Sequence, residues 1–464
     1  YIQPYSQFAS RDWTVSAVRY HKTEDFDLLS AAAGLQANKM LLLLPLLWLV
    51  NISMGGRMEV LYSWSQVDFT FPSSALREVY LAGGHFIPKH NLIIDVDVWG
   101  GYQGIDRKIF VTMPKFKPGE PVTLATVTNK RRNHTTLLHP YPDWSWHQGD
   151  CDGITSVFRT RVDKCGRLWV LDSGMVDIFV DSRRQCPPQI LIFDLYTDNL
   201  VKRYRFPNSL LEDDSLLITI ALDSRQEDCS DTVAYVTDVT SYKLLVYDSA
   251  TDKSWKVSSN LFYPYPLHGD FHINGVDFDL MDGLFALAVG PLRSNGDRTL
   301  YFHSLASVHE SWVPTSVVRN HSAFQEDPGA SPRSFHVFQE TRDSQSAAQD
   351  MTDSGVLLYS LVEQNAIGCW NSRLPFRKQN LDIIAKDDYT LQFQSGLKVY
   401  GNHIWTLSSR LQNYIVDEVP EGEINYRINV GRVSDLLRHT RCDARLRPTE
   451  LPAFVYPSQT SLRP

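Results

Sequence analysis

Residues 139–175 read HPYPDWSWHQGDCDGITSVFRTRVDKCGRLWVLDSGM. An aromatic, turn-rich segment runs into two stretches of period two, 154–162 and 168–171, and closes on Asp172-Ser173-Gly174. Asp163, Lys164, Cys165 and Gly166 between the two stretches are turn formers, so the segment reads as a hairpin of one small sheet. The same pattern recurs outward in both directions. One group of strands covers 92–98, 108–113 and 122–127; the next, after 154–162 and 168–171, adds 190–194. A third holds 216–222, 232–237 and 243–247, and a fourth 273–278, 283–289 and 299–304. The fifth spans 334–338, 355–361 and 366–370, and the last 390–393, 397–400 and 403–408. Asp353-Ser354-Gly355 echoes Asp172-Ser173-Gly174 at a strand end.

Six groups of short strands at roughly 50 to 60 residues are the mark of an all-β, six-bladed β-propeller with a central channel. A large β-sandwich would share the hairpin turns, and remains the alternative. In a ring, the segment 58–64 is placed to complete the last blade and 424–430 to pair within it.

Composition bounds the function classes. The chain has 464 residues, 43% of them hydrophobic and 12% aromatic, which suits a large folded core. Lys plus Arg number 45 against 53 Asp plus Glu, a net charge of −8 with no long single-sign run. Nucleic acid is therefore not an expected partner. Residues 40–52, MLLLLPLLWLVNI, have the length of a signal-peptide core and fall short of the ~20 residues of a membrane span. Ser53 and Gly55 suit a cut after Gly55, so 40–55 is read as a signal peptide, with a buried strand or an uncleaved anchor as alternatives. Residues 1–39 are then a non-globular extension, 56–442 the propeller and the Pro-rich 443–464 a disordered tail. After signal removal no membrane contact is expected, and the localisation is secreted and extracellular.

The cysteines agree with export. Cys151, Cys165, Cys186, Cys229, Cys369 and Cys442 are even in number, contain no CxxC and suit disulfides in an oxidising compartment. Spacing leaves 15 pairings open; a Cys369–Cys442 bond is expected because the two flank the final strands. Asn133 and Asn320 open Asn-x-Thr and Asn-x-Ser sequons in polar stretches, as glycan acceptors would.

Further motifs carry a family likeness. PYPDW (140–144), DCDGI (150–154), VDKCGRLWVLDSG (162–174) and CPPQILIFDL (186–195) closely resemble the insect yellow and major royal jelly protein family. DGLFALAVGP (282–291), LYFHSLAS (300–307), DSGVLLYSLVEQNAIGCWN (353–371), LQFQSGLKV (391–399), IWTLSSRLQ (404–412) and INYRI (424–428) follow in order, so the likeness covers residues 58–442. It implies a secreted six-bladed propeller with functions around melanin, cuticle pigment and small aromatic amines. The cysteine of DKCGRLW and the short tail after Cys442 make the chain resemble a yellow-type member.

Catalytic signatures of other classes are missing: no HExxH, GxSxG, GxxxxGK or Gly-rich dinucleotide loop occurs. No metal and no cofactor is expected. His268 and His272 stand four apart, but in HGDFHING that spacing does not converge. A propeller places its functional groups on the inner strands, and the polar residues near them are Asp95, Asp97, Asp152, Asp223, His272, Asn274, Gln349, Asp350 and Ser395. Each is also a plausible turn cap. Trp144, Trp146, Trp169, Trp370 and Trp405 could stack on a ring or fill the core.

Enzyme and binder both remain open. The resemblance to dopachrome-conversion members implies moving a proton from carbon to oxygen, for which His272 with Asp152 or Asp350 is the expected catalytic set. The resemblance to amine-scavenging members implies a carboxylate and an aromatic wall, with Asn274, Ser395, Ser409 and Leu411 as ligand-binding positions. Ser409 and Leu411 stand where those binders carry Asn and Phe, a departure that weakens amine capture. The expected partner is a small aromatic metabolite or biogenic amine. A structural or signalling protein without turnover is the third class, and a calcium-lactonase type of propeller would need Asp95, Asp152, Asn274 and Asp350 to converge on one ion.

Overall fold

The computed structural model describes residues 58–100, 102, 107–417, 419–443 and 445. The stretches read above as an extension (1–39), a signal peptide (40–55) and, nearly all of it, a tail (443–464) lie outside the described residues. Among the described residues, the strands form six four-stranded antiparallel sheets and two short two-stranded ribbons. The inner strands are Asp95–Trp99, Val157–Val162, Leu217–Asp223, Leu284–Val289, Gln349–Met351 and Gln394–Tyr400. Each contacts the inner strand of the next blade, and the sixth contacts the first, so the ring is closed.

Every blade grows outward through hairpins. The second, for example, adds Arg167–Asp172, Gln189–Asp194 and Leu200–Arg205 in sequence order. The turn 163–166 that opened the reading is fixed by the Asp163 carboxylate, which accepts from the amides of Cys165 (3.0 Å) and Arg167 (2.9 Å). Gly166 takes φ +76° there, and a Cβ would lie 2.7 Å from the Tyr196 ring. The sixth blade joins the two ends of the ring: Gln394–Tyr400, His403–Ser409 and Tyr426–Arg432 are completed by Glu59–Trp64, with Glu59 opposite Val430.

Period-two strands bury one face against each neighbouring blade, and the core is accordingly a set of wedges. Trp169, Ile190 and Leu217 pack with Tyr247 between the second and third blades, and Leu358, Ile367 and Leu397 with Ile404 between the fifth and sixth. Trp169, Trp370 and Trp405 belong to this core. Trp144 instead packs beside Phe71 at 4.7 Å, and Trp146 meets Phe193 edge-on.

Two strand groups differ from the sequence reading. Residues 273–278 are not an inner strand: Asp270–Ile273 and Val276–Asp279 form a separate ribbon ahead of the fourth blade, with Asn274 (φ +48°) and Gly275 (φ +81°) as its turn. Residues 334–338 supply the outer strand His336–Val337 of the fourth blade, so the fifth begins at Gln349–Met351. Residues 390–393 precede the sixth inner strand rather than forming a strand.

Candidate functional site

An inner strand has one edge that no strand of its own blade covers, and its amides and carbonyls need partners. Here the preceding blade supplies them by side chain. Asp95 accepts from Thr160 N (3.3 Å) and Asp97 from Val162 N (2.8 Å). Asp350 accepts from Val399 N (2.7 Å). Thr219 donates to Phe285 O (2.5 Å), and Ser395 to Ile94 O (2.6 Å) across the closing seam. The seam is tight, since a Cβ on Gly396 would meet Asp95 Oδ1 at 2.5 Å.

Cations interleave with these carboxylates. Lys398 contacts both oxygens of Asp95 at 2.9 Å, and Arg161 clasps Asp350 through two bonds of 2.7 and 3.0 Å. Burial works against the Arg161 charge, yet Asp350 holds its pKa above the ordinary arginine value. Burial likewise pushes the Asp97 carboxyl up to about 6, against the pull of Lys398 and Arg161.

Arg159 crosses the axis. Its guanidinium bonds Thr219 of the third blade, Ala347 O at 2.8 Å before the fifth and Ser395 O at 2.7 Å in the sixth, and lies 4.9 Å from the Phe285 ring. Burial lowers its pKa to about 10. It has no carboxylate within ion-pair distance among the described residues, so a buried positive charge is held by neutral acceptors alone.

On one side of Arg159, at the C-terminal ends of the inner strands, opens a cavity of about 230 Å³. Arg161, Lys164, Arg298, Asp350, Asp353 and Lys398 give it its charged wall, and Ala221, Leu287 and Leu397 are among its apolar contributors. Most of the charges are committed: Arg298 pairs with Asp223 at 3.0 Å and Lys164 with Glu227 at 3.4 Å. Asp353 is exposed, with no hydrogen bond or ion pair among the described residues. The two Asp-Ser-Gly motifs thus part company. Asp172 is buried and accepts from Thr155 N, Ser156 N and Gly174 N, whereas Asp353 faces the cavity unencumbered.

The other end of the channel is apolar. The ribbon 270–279 lies against it, with Phe271 and Phe278 stacked at 5.1 Å and Phe278 reaching Phe393 at 6.4 Å. Phe158, Ile218, Phe393 and Leu411 belong to the same cluster. Asp282, at the entry to the fourth inner strand, has no side-chain partner among the described residues, and burial raises its pKa to about 7. The ribbon is tied down by His272 N to Glu363 (2.9 Å) and Asn274 Nδ2 to Asp388 O (2.7 Å), and Leu280 N to Gly269 O (2.9 Å) closes its open end.

These positions separate the residues expected from sequence. Of His272, Asp152 and Asp350, only Asp350 lines the charged cavity. His272 stands on the ribbon, its side chain 68% exposed and paired with Asp277 at 2.5 Å. Asp152 is 93% exposed on the rim of the second blade, paired with Arg205. Ser395 is on the axis; Asn274 is spent on the ribbon's attachment; Ser409 and Leu411 are buried near the apolar end, Ser409 N donating to Gln392 O. Asp95, Asp152, Asn274 and Asp350 do not converge, so they do not form a calcium cage. Among the described residues, Asp163, Cys165 and Cys229 are grouped at metal-ligand distance, but both thiols are in a disulfide. The bonds are Cys151–Cys186, Cys165–Cys229 and Cys369–Cys442. Asn133 is exposed in a hairpin turn at φ +47°, and Asn320 is exposed ahead of a short helix.

Arg159, Arg161 and Lys398 were missed as site residues. Their signal was present: charges at alternate positions inside otherwise apolar strands, VFRTRV and GLKVY, point toward an axis rather than a core.

The family model "Major royal jelly protein" matches residues 155–442. Protein yellow of Drosophila yakuba is 36% identical over 433 residues, 90% of this chain and 77% of its own. Dopaminechrome tautomerase of Drosophila melanogaster is 32% identical over 403 residues, 85% of this chain and 86% of its own. Among solved structures, a luciferin-regenerating enzyme aligns over 74% of this chain and 92% of its own, at 10% identity and a TM-score of 0.41. A virginiamycin B lyase from Staphylococcus aureus aligns over 74% and 95%, at 11% identity and a TM-score of 0.38. With a family match over most of the ring and relatives above 30% identity across the chain, this protein belongs to the yellow and major royal jelly protein family.

Proposed function

We propose that this protein is exported and acts in pigment metabolism as an aminochrome isomerase, with the charged cavity as its active site. The observation that carries the reading is an uncommitted carboxylate, Asp353, lining the same cavity as Arg161 and Lys398. Isomerisation of an aminochrome removes a proton from a ring carbon, sends the electron pair through the ring to a quinone oxygen, and places a proton on that oxygen. Asp353, exposed to solvent, takes the proton from carbon and releases it to water, and water supplies the proton that the oxygen gains. Arg161 and Lys398 stabilise the negative charge that grows on oxygen, in a cavity where such interactions are stronger than in water. Asp350 then serves as a positioning residue that fixes the Arg161 fork. The 32% identical dopaminechrome tautomerase supports the reaction class, while three disulfides and two exposed sequons support export and glycosylation.

The test is the loss of aminochrome colour with purified protein. Asp353→Asn removes the base from an exposed, unbonded side chain, so the rate falls ~10²-fold with thermal stability unchanged. An unaltered rate refutes the assignment. A second reading, amine retention without turnover, is favoured by Asp282 beside the apolar end, where a carboxylate and aromatic rings could hold an ammonium. Calorimetry with an aromatic amine on the parent protein and Asp282→Asn separates the two readings.

A further inference from the structure

Arg159 is the third residue of the inner strand Val157–Val162, and the groups around its guanidinium mark its level in the ring. Thr219 and Phe285 lie early in the third and fourth inner strands, Ser395 early in the sixth, and Ala347 just ahead of the fifth. Asp95 meets Thr160 and Asp97 meets Val162, so these neighbouring inner strands run in the same direction. The cavity-lining Ala221, Ala288, Asp350 and Lys398 come later along their strands than the groups that hold Arg159. Arg159 is therefore the floor of the charged cavity, and Arg161, one pleat repeat further on, stands on its wall toward the mouth.

Five cations line this cavity, and four are paired: Arg161 with Asp350, Arg298 with Asp223, Lys164 with Glu227 and Lys398 with Asp95. Arg159 is the exception. Its five N–H groups make three bonds, to Thr219 Oγ1, Ala347 O and Ser395 O, and all three acceptors are neutral. Its Nε has no partner among the described residues. Asp95 acts on it only at longer range and is itself clasped by Lys398 through both oxygens. The side chain is buried, and a pKa of about 10 leaves it charged at neutral pH. A buried guanidinium held in this way is short of a counter-charge.

We propose that Arg159 makes the floor of the charged cavity a subsite for one compact monovalent anion, either a carboxylate borne by a small ring or a free halide. The Phe285 ring lies 4.9 Å from the guanidinium, which leaves the cavity side for the anion. Ala221, Leu287 and Ala288 offer an apolar surface to a ring attached to it. The subsite is read by binding and stands whether or not the cavity isomerises an aminochrome.

The two sources are separated on the intact protein in a low-chloride buffer. Calorimetry compares indole-2-carboxylate with indole-2-carboxamide, which has nearly the same shape and no charge. A ring-borne carboxylate binds ~10-fold or more tightly than the amide, the worth of a charge-assisted bond, and Arg159→Met removes the preference. A halide is read by thermal unfolding with chloride exchanged for a bulky sulfonate at constant ionic strength. A saturable rise of the midpoint with chloride identifies it, and Arg159→Met abolishes that rise. Should the variant not fold, parent crystals grown with 5-bromoindole-2-carboxylate or bromide locate the anion, expected in contact with the Arg159 guanidinium. Acid and amide binding alike in a parent protein that also shows no chloride-dependent rise overturns the proposal. So does a folded Arg159→Met protein that keeps the preference or the rise, or an anion found in the crystal away from Arg159.

Discussion

Asp97 gives the most quantitative test of the axial charge network. Its carboxylate is 3% exposed, accepts from Val98 N and Val162 N, and has a pKa raised from 3.8 to about 6 by burial. In the unfolded chain the group returns to an ordinary carboxylate, so between about pH 4 and pH 6 the folded state holds the proton and the unfolded state does not. Stability contributed by this group is therefore full below the unfolded pKa and is lost as pH rises through about 6. At ~1.4 kcal/mol per pH unit the loss amounts to ~3 kcal/mol. Asp97→Asn cannot titrate. It also turns one acceptor into a donor and orphans one backbone amide, a pH-independent cost of ~1–3 kcal/mol. The two effects separate in urea unfolding followed by tryptophan fluorescence at about pH 4 and pH 7.5. The variant should be less stable than the parent at the acid end and gain on it by ~3 kcal/mol at the neutral end. A parent-to-variant difference that stays constant within ~0.5 kcal/mol across the range would show that Asp97 titrates in the folded protein as it does in the unfolded chain, and the network would need redrawing.

Replacing both Cys369 and Cys442 by Ser should cost ~4 kcal/mol, since the bond closes a segment of 73 residues, read as a lower midpoint in thermal unfolding. His272→Gln should change aminochrome conversion by less than about twofold, because the ring stands exposed on the ribbon; a ~10²-fold loss would return catalysis to that end. Trp64→Ala should destabilise by ~3–5 kcal/mol, as the side chain is 1% exposed at the ring closure and its indole N–H donates to Thr136 O at 2.8 Å. Chemical denaturation measures it, and a cost under ~1 kcal/mol would mean that the seam does not depend on this anchor.

The ring was legible because period-two strands and turn residues alternate through most of the chain, and because the closing strand 58–64 has the apolar content to complete a blade. The reading slipped where that signal is ambiguous. FHINGVDF has the alternation and the Asn-Gly turn of a hairpin, which it is, but alternation does not say which sheet a hairpin joins. Gln349–Met351 is short, with Asp350 turned to the inner strand Gln394–Tyr400 and Gln349 donating to Tyr301 O in the fourth blade, so it carries none of the β-rich composition that marks Val356–Leu361. The site was less visible for a related reason. Asp350 could be named from its place near an inner strand, whereas the bond pattern that commits it to Arg161 and frees Asp353 depends on contacts 189 residues apart. His272 and Asp152 drew notice as residue types suited to proton transfer, yet exposure on a ribbon and a rim is set by tertiary placement alone.

The strand Glu59–Trp64 has a consequence for biosynthesis. It leaves the ribosome before any blade and finds its partner, Tyr426–Arg432, only when almost all of the ring has followed; Asn425 and Ser65, bonded at 2.8 Å, are 360 residues apart. Blades one to five assemble from contiguous sequence, but the nascent chain carries an unpaired strand throughout, and closure is the step of highest contact order. Oxidation should follow the same schedule: Cys151–Cys186 and Cys165–Cys229 fall within early blades, while Cys369–Cys442 must wait for the last. A pulse-chase of the exported chain would then see the third bond appear together with protease resistance, which makes that disulfide a covalent record that the circle has closed.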